Sequence, residues 1–458
     1  MGFQPKLFAG DILGVGMRRN LAFVLGIVIT LIASASAQDW IKTGTGLGVE
    51  KVRLAVTDFK PSTQDANNSS LQKVFDDTLF NDLDNAGIFD MVSKSFLPTT
   101  APGTPADVKF DTFSAPPVNA SMLAFGNLGA AGNTLTVQGW LYDVKNVQSP
   151  QVLGKQYTDT STPDAARRIA HKFADEIIFR LGGGIAGIAE SSIYFISSRG
   201  GRKEVWGMDY DGNNQHQVTH LGSIALSPRI SPDGSRVAFS GVTKANWEIL
   251  MYSLDLGRMV SFPRFGGGNY SPSWSPDGTR LAFASSRNGS TEIYTCDSNG
   301  GGLKQVTSSR GPEASPTWNR KTGAQIAFVS GRTGLPQIYT MDADGTNIQR
   351  MTDQGYAVSP AWSPNGQFLV FAWIRHYGPG APGAQDIYIM DIASKQWVQL
   401  THDGGRNDFP SWSPDGRHIV FQSSRSGREE LWTMLADGSN QKQLTTSGSN
   451  TQPNWSFK

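Results

Sequence analysis

The phrase PSWSPDGTRLAFASSR, from Pro272 to Arg287, returns almost unchanged as PSWSPDGRHIVFQSSR from Pro410. A phrase repeated at a fixed period restricts a chain to architectures built by stacking one unit. Alignment on Pro-x-Trp places Trp274, Trp318, Trp362, Trp412 and Trp455 at steps of 44, 44, 50 and 43 residues, with Ile230 another 44 before Trp274. Each anchor but the last leads into a turn: SPDG at Ser231, Ser275 and Ser413, SPNG at Ser363, and a degraded NRKTG at Asn319. Alternating runs follow, such as RLAFASSR and HIVFQSSR, then IYTCD, IYTMD, IYIMD or LWTML, then short stretches ending in QVT, RMT or QLT. That is four short strands per unit. A single four-stranded unit leaves both faces uncovered, and neighbours in a ring cover each other, so the pattern predicts a β-propeller. Pro presets φ for the turn after the innermost strand and Gly accepts positive φ.

Residues 193–219 hold the last three strands of a unit without its Pro-x-Trp strand, and the chain ends on QPNWSFK, which is that strand alone. The expectation is six blades spanning residues 188–458, with the C-terminal strand completing the first blade and leaving no open sheet edge. The region before it reads differently. VRLAVTDF is a strand, and Leu71, Val74, Phe75, Leu79 and Leu83 share one helical face that ends near Gly87. A Pro-rich loop runs from Pro98 to Pro117. LTVQGWLYDV and QVLGKQY read as a strand pair. A last helix begins with Thr162 as N-cap and Pro163 in its first turn, and ends at Gly182. This is a small α/β domain over residues 50–182. The fold class expected is therefore mainly β with α/β: a six-bladed propeller behind a small N-terminal α/β domain.

The N-terminus reads as a targeting segment. Met17 is followed by Arg18 and Arg19, an apolar run from Leu21 to Ile32 and the A-x-A site Ala35-Ser36-Ala37. This is a secretory signal covering residues 1–37, with Met17 as an alternative start, and it points to the periplasm or the outside. Residues 38–49, QDWIKTGTGLGV and its neighbours, show no periodicity and are expected to be a mobile tail. Charge is balanced at 40 Lys plus Arg against 39 Asp plus Glu, which argues against a nucleic-acid binder.

Chemistry is sparse. His171, His216, His220, His376, His402 and His418 show no paired metal spacing, and no G-x-S-x-G elbow exists. The single cysteine, Cys296, stands where sister units place Met208, Met341, Met390 and Met434, so it reads as core. Asp342-Ala-Asp344-Gly345 is a turn rather than a calcium loop, and GTGLG at Gly44 is not followed by a clear helix, as a phosphate loop requires. No catalytic residue, metal ligand or cofactor is expected.

Signal peptide, α/β domain, Pro-x-Trp-Ser-Pro-Asp-Gly blades and a closing NWS strand together resemble the TolB family of periplasmic Tol–Pal proteins. The resemblance covers Gln38 to Lys458, and SFPRFGGGNYSPSWSPDG from Ser261 is similar to the family's connection between the second and third blades. It implies a monomeric, non-enzymatic scaffold without membrane insertion that supports outer-membrane integrity and constriction at division. It also implies two partners. The peptidoglycan-associated lipoprotein Pal would bind the propeller face. TolA would bind the mature N-terminus, here Gln38, Asp39, Trp40, Ile41 and Lys42. This chain departs from the family's acidic, β-like N-terminal segment.

Binding residues concentrate in variable loops on rigid scaffolds. In each blade the connection after the second strand and the connection into the next blade vary most, and both fall on one rim. The first of these supplies Arg199, Arg287, Arg332, Arg375 with His376, and Arg425; the second supplies Arg264, Phe265, Tyr270, Arg310, Glu313, Tyr356, Arg406 and Asp408. These arginines would offer a positive rim to an acidic partner, or else be solvated or bridge neighbouring blades. Two other readings stay open: a secreted interaction propeller with different partners, and a propeller-type peptidase or glycan-active enzyme.

Overall fold

A computed structural model describes residues 39–244, 246–374, 385–402 and 404–457. The signal segment, Gln38, Arg375 and His376 lie outside the described residues.

The chain opens with a helix, α1, over residues 39–45. The α/β domain follows, with strands β1 (Val52–Val56), β2 (Lys60–Pro61), β3 (Phe89–Met91), β4 (Met122–Ala131), β5 (Thr134–Asp143) and β6 (Gln151–Thr160). Sheet order is β3-β1-β4-β5-β6, with β2 beside β4. β1 runs parallel to both neighbours, and β4 to β6 form an antiparallel meander. Helix α2 (Asn68–Asn85) buries Leu71, Phe75, Leu79 and Leu83, while Val74 is half-buried. Its C-terminus is closed by Gly87 at φ 75°, a left-handed residue that glycine adopts without steric cost. The segment expected as a Pro-rich loop contains a short helix, α3 (Phe110–Ser114), whose Phe113 covers the opposite face of the sheet. Helix α4 (Pro163–Leu181) starts on Thr162, whose hydroxyl accepts the Ala165 N–H at 3.2 Å. It packs Ile169, Phe173 and Ile177 beside α2 over the sheet.

Among the described residues, six four-stranded antiparallel sheets make up the propeller. Blade three shows the pattern: Asn269–Trp274, Arg280–Asn288, Ser290–Asp297 and Lys304–Gln305. In blade one the first strand is Asn450–Trp455, which pairs antiparallel with Ser192–Ser197. First strands of successive blades lie against one another around the ring, including Asn450–Trp455 against Ala225–Ile230.

Two devices recur. After the first strand, the Ser275 hydroxyl donates to Asp277 at 2.5 Å, and the Asp277 carboxylate accepts the Thr279 N–H at 3.0 Å. Ser231 with Asp233 and Ser363 with Asn365 repeat this, and in blade four Asn319 itself accepts the Lys321 N–H at 3.1 Å. The second device lies inside the first strand. The residue before its proline, whether Ser227, Ser271, Ser315, Ser359, Phe409 or Gln452, sits at φ 50–54°, and the ladder slips there. A bulge admits the proline, which has no N–H to give the ladder.

Candidate functional site

Because each blade is a meander, the turns after first and third strands emerge on one face of the ring. The connections after second and fourth strands emerge on the other. The α/β domain occupies the first of these faces. The imidazole of His418, at the end of the turn after the first strand in blade six, donates to the Asn85 carbonyl at 2.8 Å. Arg417 donates to the Gly182 carbonyl at 3.0 Å. In blade one, Tyr210 donates to Asp82 at 2.5 Å, and Asp82 also meets His171 at 2.7 Å. Burial disfavours charge on His171, but the Asp82 carboxylate prevails and holds its pKa above the usual value. Arg167 pairs with Asp211 and Asp209. This polar cluster fixes the domain to the ring.

The tail also docks on this face, as a helix where the sequence showed no periodic element. Ile41 is fully buried among Phe368, Trp412 and Met434, and the half-buried Trp40 lies 5.4 Å from the Phe368 ring. Gly44 is needed for this approach, since a Cβ there would sit 2.3 Å from the Phe368 ring, and its carbonyl accepts Asn365 Nδ2 at 2.9 Å. The GTGLG stretch ends the helix, with Gly48 N–H donating to the Lys42 carbonyl at 3.0 Å. Asp39 is exposed and Lys42 half-buried.

The opposite face carries the connections singled out in the sequence, and it contacts neither the α/β domain nor the tail among the described residues. Arg264, Arg287, Arg310 and Arg406 are exposed there. Phe265, Tyr270, Arg332, Tyr356 and Arg425 are half-buried. Phe265 stacks on Phe283 with centroids 5.0 Å apart, and Tyr270 leans on Trp247 at 5.8 Å. Two expected surface residues are not on the surface. Glu313 is fully buried, accepting from Ser330 at 2.7 Å and from Arg332 at 2.8 Å. Asp408 is also buried, and burial pushes its carboxyl above the usual range. Both belong to the wall of the ring.

The arginines after the second strands have a structural duty. Arg199 lies over Trp206 at 4.9 Å, Arg287 over Tyr294 at 5.8 Å, Arg332 over Tyr339 at 4.9 Å and Arg425 over Trp432 at 4.8 Å. A guanidinium over an aromatic face is attracted by the ring's quadrupole. Arg199 also donates to the Ser447 carbonyl at 2.9 Å and Arg425 to Asn407 at 3.1 Å, which ties neighbouring connections together. A second tether was not anticipated. In blades one, three, five and six the Thr of the QVT-like ending donates to an acidic residue on the third strand and accepts the next N–H; in blade four Thr352 accepts Ile338 N–H, with Gln337 in the acidic position. In blade three, Thr307 donates to the buried Glu292 at 2.8 Å and accepts Ile293 N–H at 2.8 Å. Thr219 with Glu204, Thr401 with Asp386 and Thr445 with Glu430 repeat it. These bonds make the face rigid. Around them stand further exposed cations, Arg202, Lys203, Lys244 and Arg428, against the exposed Asp353.

Among the described residues no group of three or more His, Cys, Asp or Glu is placed to hold a metal, and no helix is long and apolar enough to cross a membrane. Burial pushes the Cys296 thiol up to about 12, which leaves it without nucleophilic thiolate.

A family model described as the TolB beta propeller domain matches residues 180–376 and 353–458, and one described as the TolB amino-terminal domain matches residues 45–149. The chain is 34% identical over 225 residues to the Tol-Pal system protein TolB of Geobacter metallireducens, covering 48% of this chain and 50% of that one. It is 33% identical over 254 residues to that of Ruegeria sp., covering 53% and 55%. It therefore spans about half the length of these curated relatives. A crystal structure of TolB from Acinetobacter baumannii superposes with a TM-score of 0.74 at 24% identity, covering 89% of this chain and 97% of that one. Its fold is the same ring behind the same small domain. With both family models matched in chain order over most of its length, this chain belongs to the TolB family.

Proposed function

We propose that the chain is a non-enzymatic periplasmic scaffold of the Tol–Pal system. In this reading it binds Pal on the propeller face opposite the α/β domain and TolA through its N-terminal segment, and so supports envelope integrity and constriction. One observation carries the reading: that face is uncovered, rigid and edged with cations, chiefly Arg264, Arg287, Arg310 and Arg406. A protein with an acidic surface complements it, because charge complementarity steers encounter and fixes register. Phe265 and Tyr270 add apolar contact beside Arg264.

The tail supports the second half. Docked, it conceals Trp40 and Ile41, the bulky residues a partner would grip. Beside the tail, near Gly46 and bonded to Gly182, Arg417 is buried at 2% exposure with Nε and one terminal nitrogen unpartnered among the described residues. Desolvating unsatisfied donors of a cation opposes burial, so the docked state is held by only a modest margin. Release exposes the tail for TolA and opens one side of Arg417 to water. Pal binding on the far face would bias this equilibrium through the ring.

Calorimetry of residues 38–458 against Pal from the same organism, with and without residues 38–48, tests both parts. Binding that changes on deletion of the tail is expected. Binding indifferent to the tail removes the coupling, and absence of binding removes Pal as the partner.

A further inference from the structure

The first strands converge on the axis of the ring, and towards the α/β side they enclose a cavity of about 60 Å³. A water needs only ~10–15 Å³ on this measure, so the space suits a few waters or one small polyatomic ion. Two arginines line it. Arg229 is the penultimate residue of the first strand of blade two, and its guanidinium donates to the neighbouring Pro228 carbonyl at 2.8 Å. Arg320 follows the first strand of blade four. It donates to the Trp412 carbonyl at 3.1 Å and lies 3.8 Å from the centroid of the Phe457 ring. Among the described residues neither has a carboxylate partner. The aspartates of the adjacent turns are turned to their own Ser hydroxyls and backbone N–H groups. Both side chains are half-buried, and desolvation lowers both guanidiniums to about 10 with no offsetting charge among the described residues.

Other donors line the same space. Trp274 and Trp412 give their indole N–H groups to the Arg229 and Ala361 carbonyls. Trp318 and Trp362 border the same cavity, yet their buried N–H groups have no acceptor among the described residues. The hydroxyls of Ser273 and Thr317 also border it without a protein partner among the described residues. Two cations, aromatic walls and surplus donors, with no carboxylate paired to them among the described residues, describe half of an ion pair.

We propose that the axial cavity is an oxyanion site in which Arg229 and Arg320 bind a small tetrahedral or planar oxyanion of phosphate or carboxylate type from solution. The bound ion completes the donors at the point where the six first strands meet, and so couples the stability of the ring to anion concentration. This is independent of which partner the outer face takes.

The test is thermal unfolding of residues 38–458 in inorganic phosphate, acetate and chloride at matched ionic strength and pH, with Arg229→Gln, Arg320→Gln and the double variant. The expected result is a saturable rise in Tm with phosphate or acetate over chloride in the wild type, lost in the double variant. Phosphorus NMR line broadening of inorganic phosphate gives a readout that does not depend on variant stability: broadening with wild type, none with the double variant. Equal responses in wild type and double variant overturn the site, since they report a general salt effect. No response to either oxyanion in the wild type overturns it as well.

Discussion

Replacing Ile41 by alanine tests the docking of the N-terminal helix. The side chain is fully buried against Phe368, Trp412 and Met434. Removing three carbons forfeits ~0.8 kcal/mol each in transfer energy, and the cavity adds to that, giving about 3 kcal/mol. A helix spanning only residues 39–45 has no stability alone, so the loss falls on docking rather than on the propeller. At ~1.4 kcal/mol per decade, that is about a hundredfold shift towards the released tail. Hydrogen-exchange mass spectrometry reads it directly. Peptides covering residues 39–48 should exchange about a hundredfold faster in I41A, with the strands of blades five and six unchanged. Gly44→Ala should act in the same direction, because its Cβ would lie 2.3 Å from the Phe368 ring. Unchanged protection of residues 39–48 in both variants would refute the reasoning. So would loss of protection there only together with the whole ring.

Thr307→Val keeps the shape but removes the donor to buried Glu292 and the acceptor for Ile293 N–H, so urea unfolding should show the propeller destabilised by roughly 2–4 kcal/mol. Asp76 is buried and accepts Phe59 N–H at 3.0 Å, and burial raises its carboxyl to about 7. Native Asp76 thus keeps a proton that the unfolded chain loses near pH 4, so its contribution is complete below about pH 4 and is lost as pH rises towards 7. Asp76→Asn keeps the acceptor and should gain stability relative to wild type between pH 5 and pH 8, by at most a few kcal/mol; a difference independent of pH would contradict the assignment. Arg264→Glu with Arg310→Glu should slow association with Pal and weaken its salt dependence, read by stopped-flow, while Tm stays within a degree or two of wild type.

The ring was legible because its cause is periodic. Trp274 to Trp455 mark one strand per blade, and a blade cannot bury its faces without neighbours. The helices of the α/β domain were legible from their apolar stripes and from Thr162 and Pro163. The docked tail was not, because tertiary contact rather than propensity makes residues 39–45 helical. Only Trp40, Ile41 and Gly44, together on one face, hinted at it. Burial of Glu313 and Asp408 was hidden for a different reason: acidic side chains are almost never fully buried unless paired. A usable signal did exist for the arginines. Arg199, Arg287, Arg332 and Arg425 each precede an aromatic by seven residues, which is the spacing that carries a loop back over the third strand. The Glu–Thr tethers carry the same kind of mark, with a separation of 15 in blades one, three and six. Repeats reveal structural residues by recurrence. The cavity arginines carry no such mark, because sister units place Ser, Thr, Ala or Asn at the position of Arg229 and Pro or Phe at that of Arg320.

Binding of Pal to the face opposite the α/β domain would leave a hydrogen-exchange footprint on residues 38–458 at saturating Pal. Protection is expected in the connections at residues 262–270, 308–313 and 404–408, with the turns at 231–234 and 275–278 unchanged. Protection on those turns with the connections unaffected would place the partner on the wrong side of the ring and contradict the account.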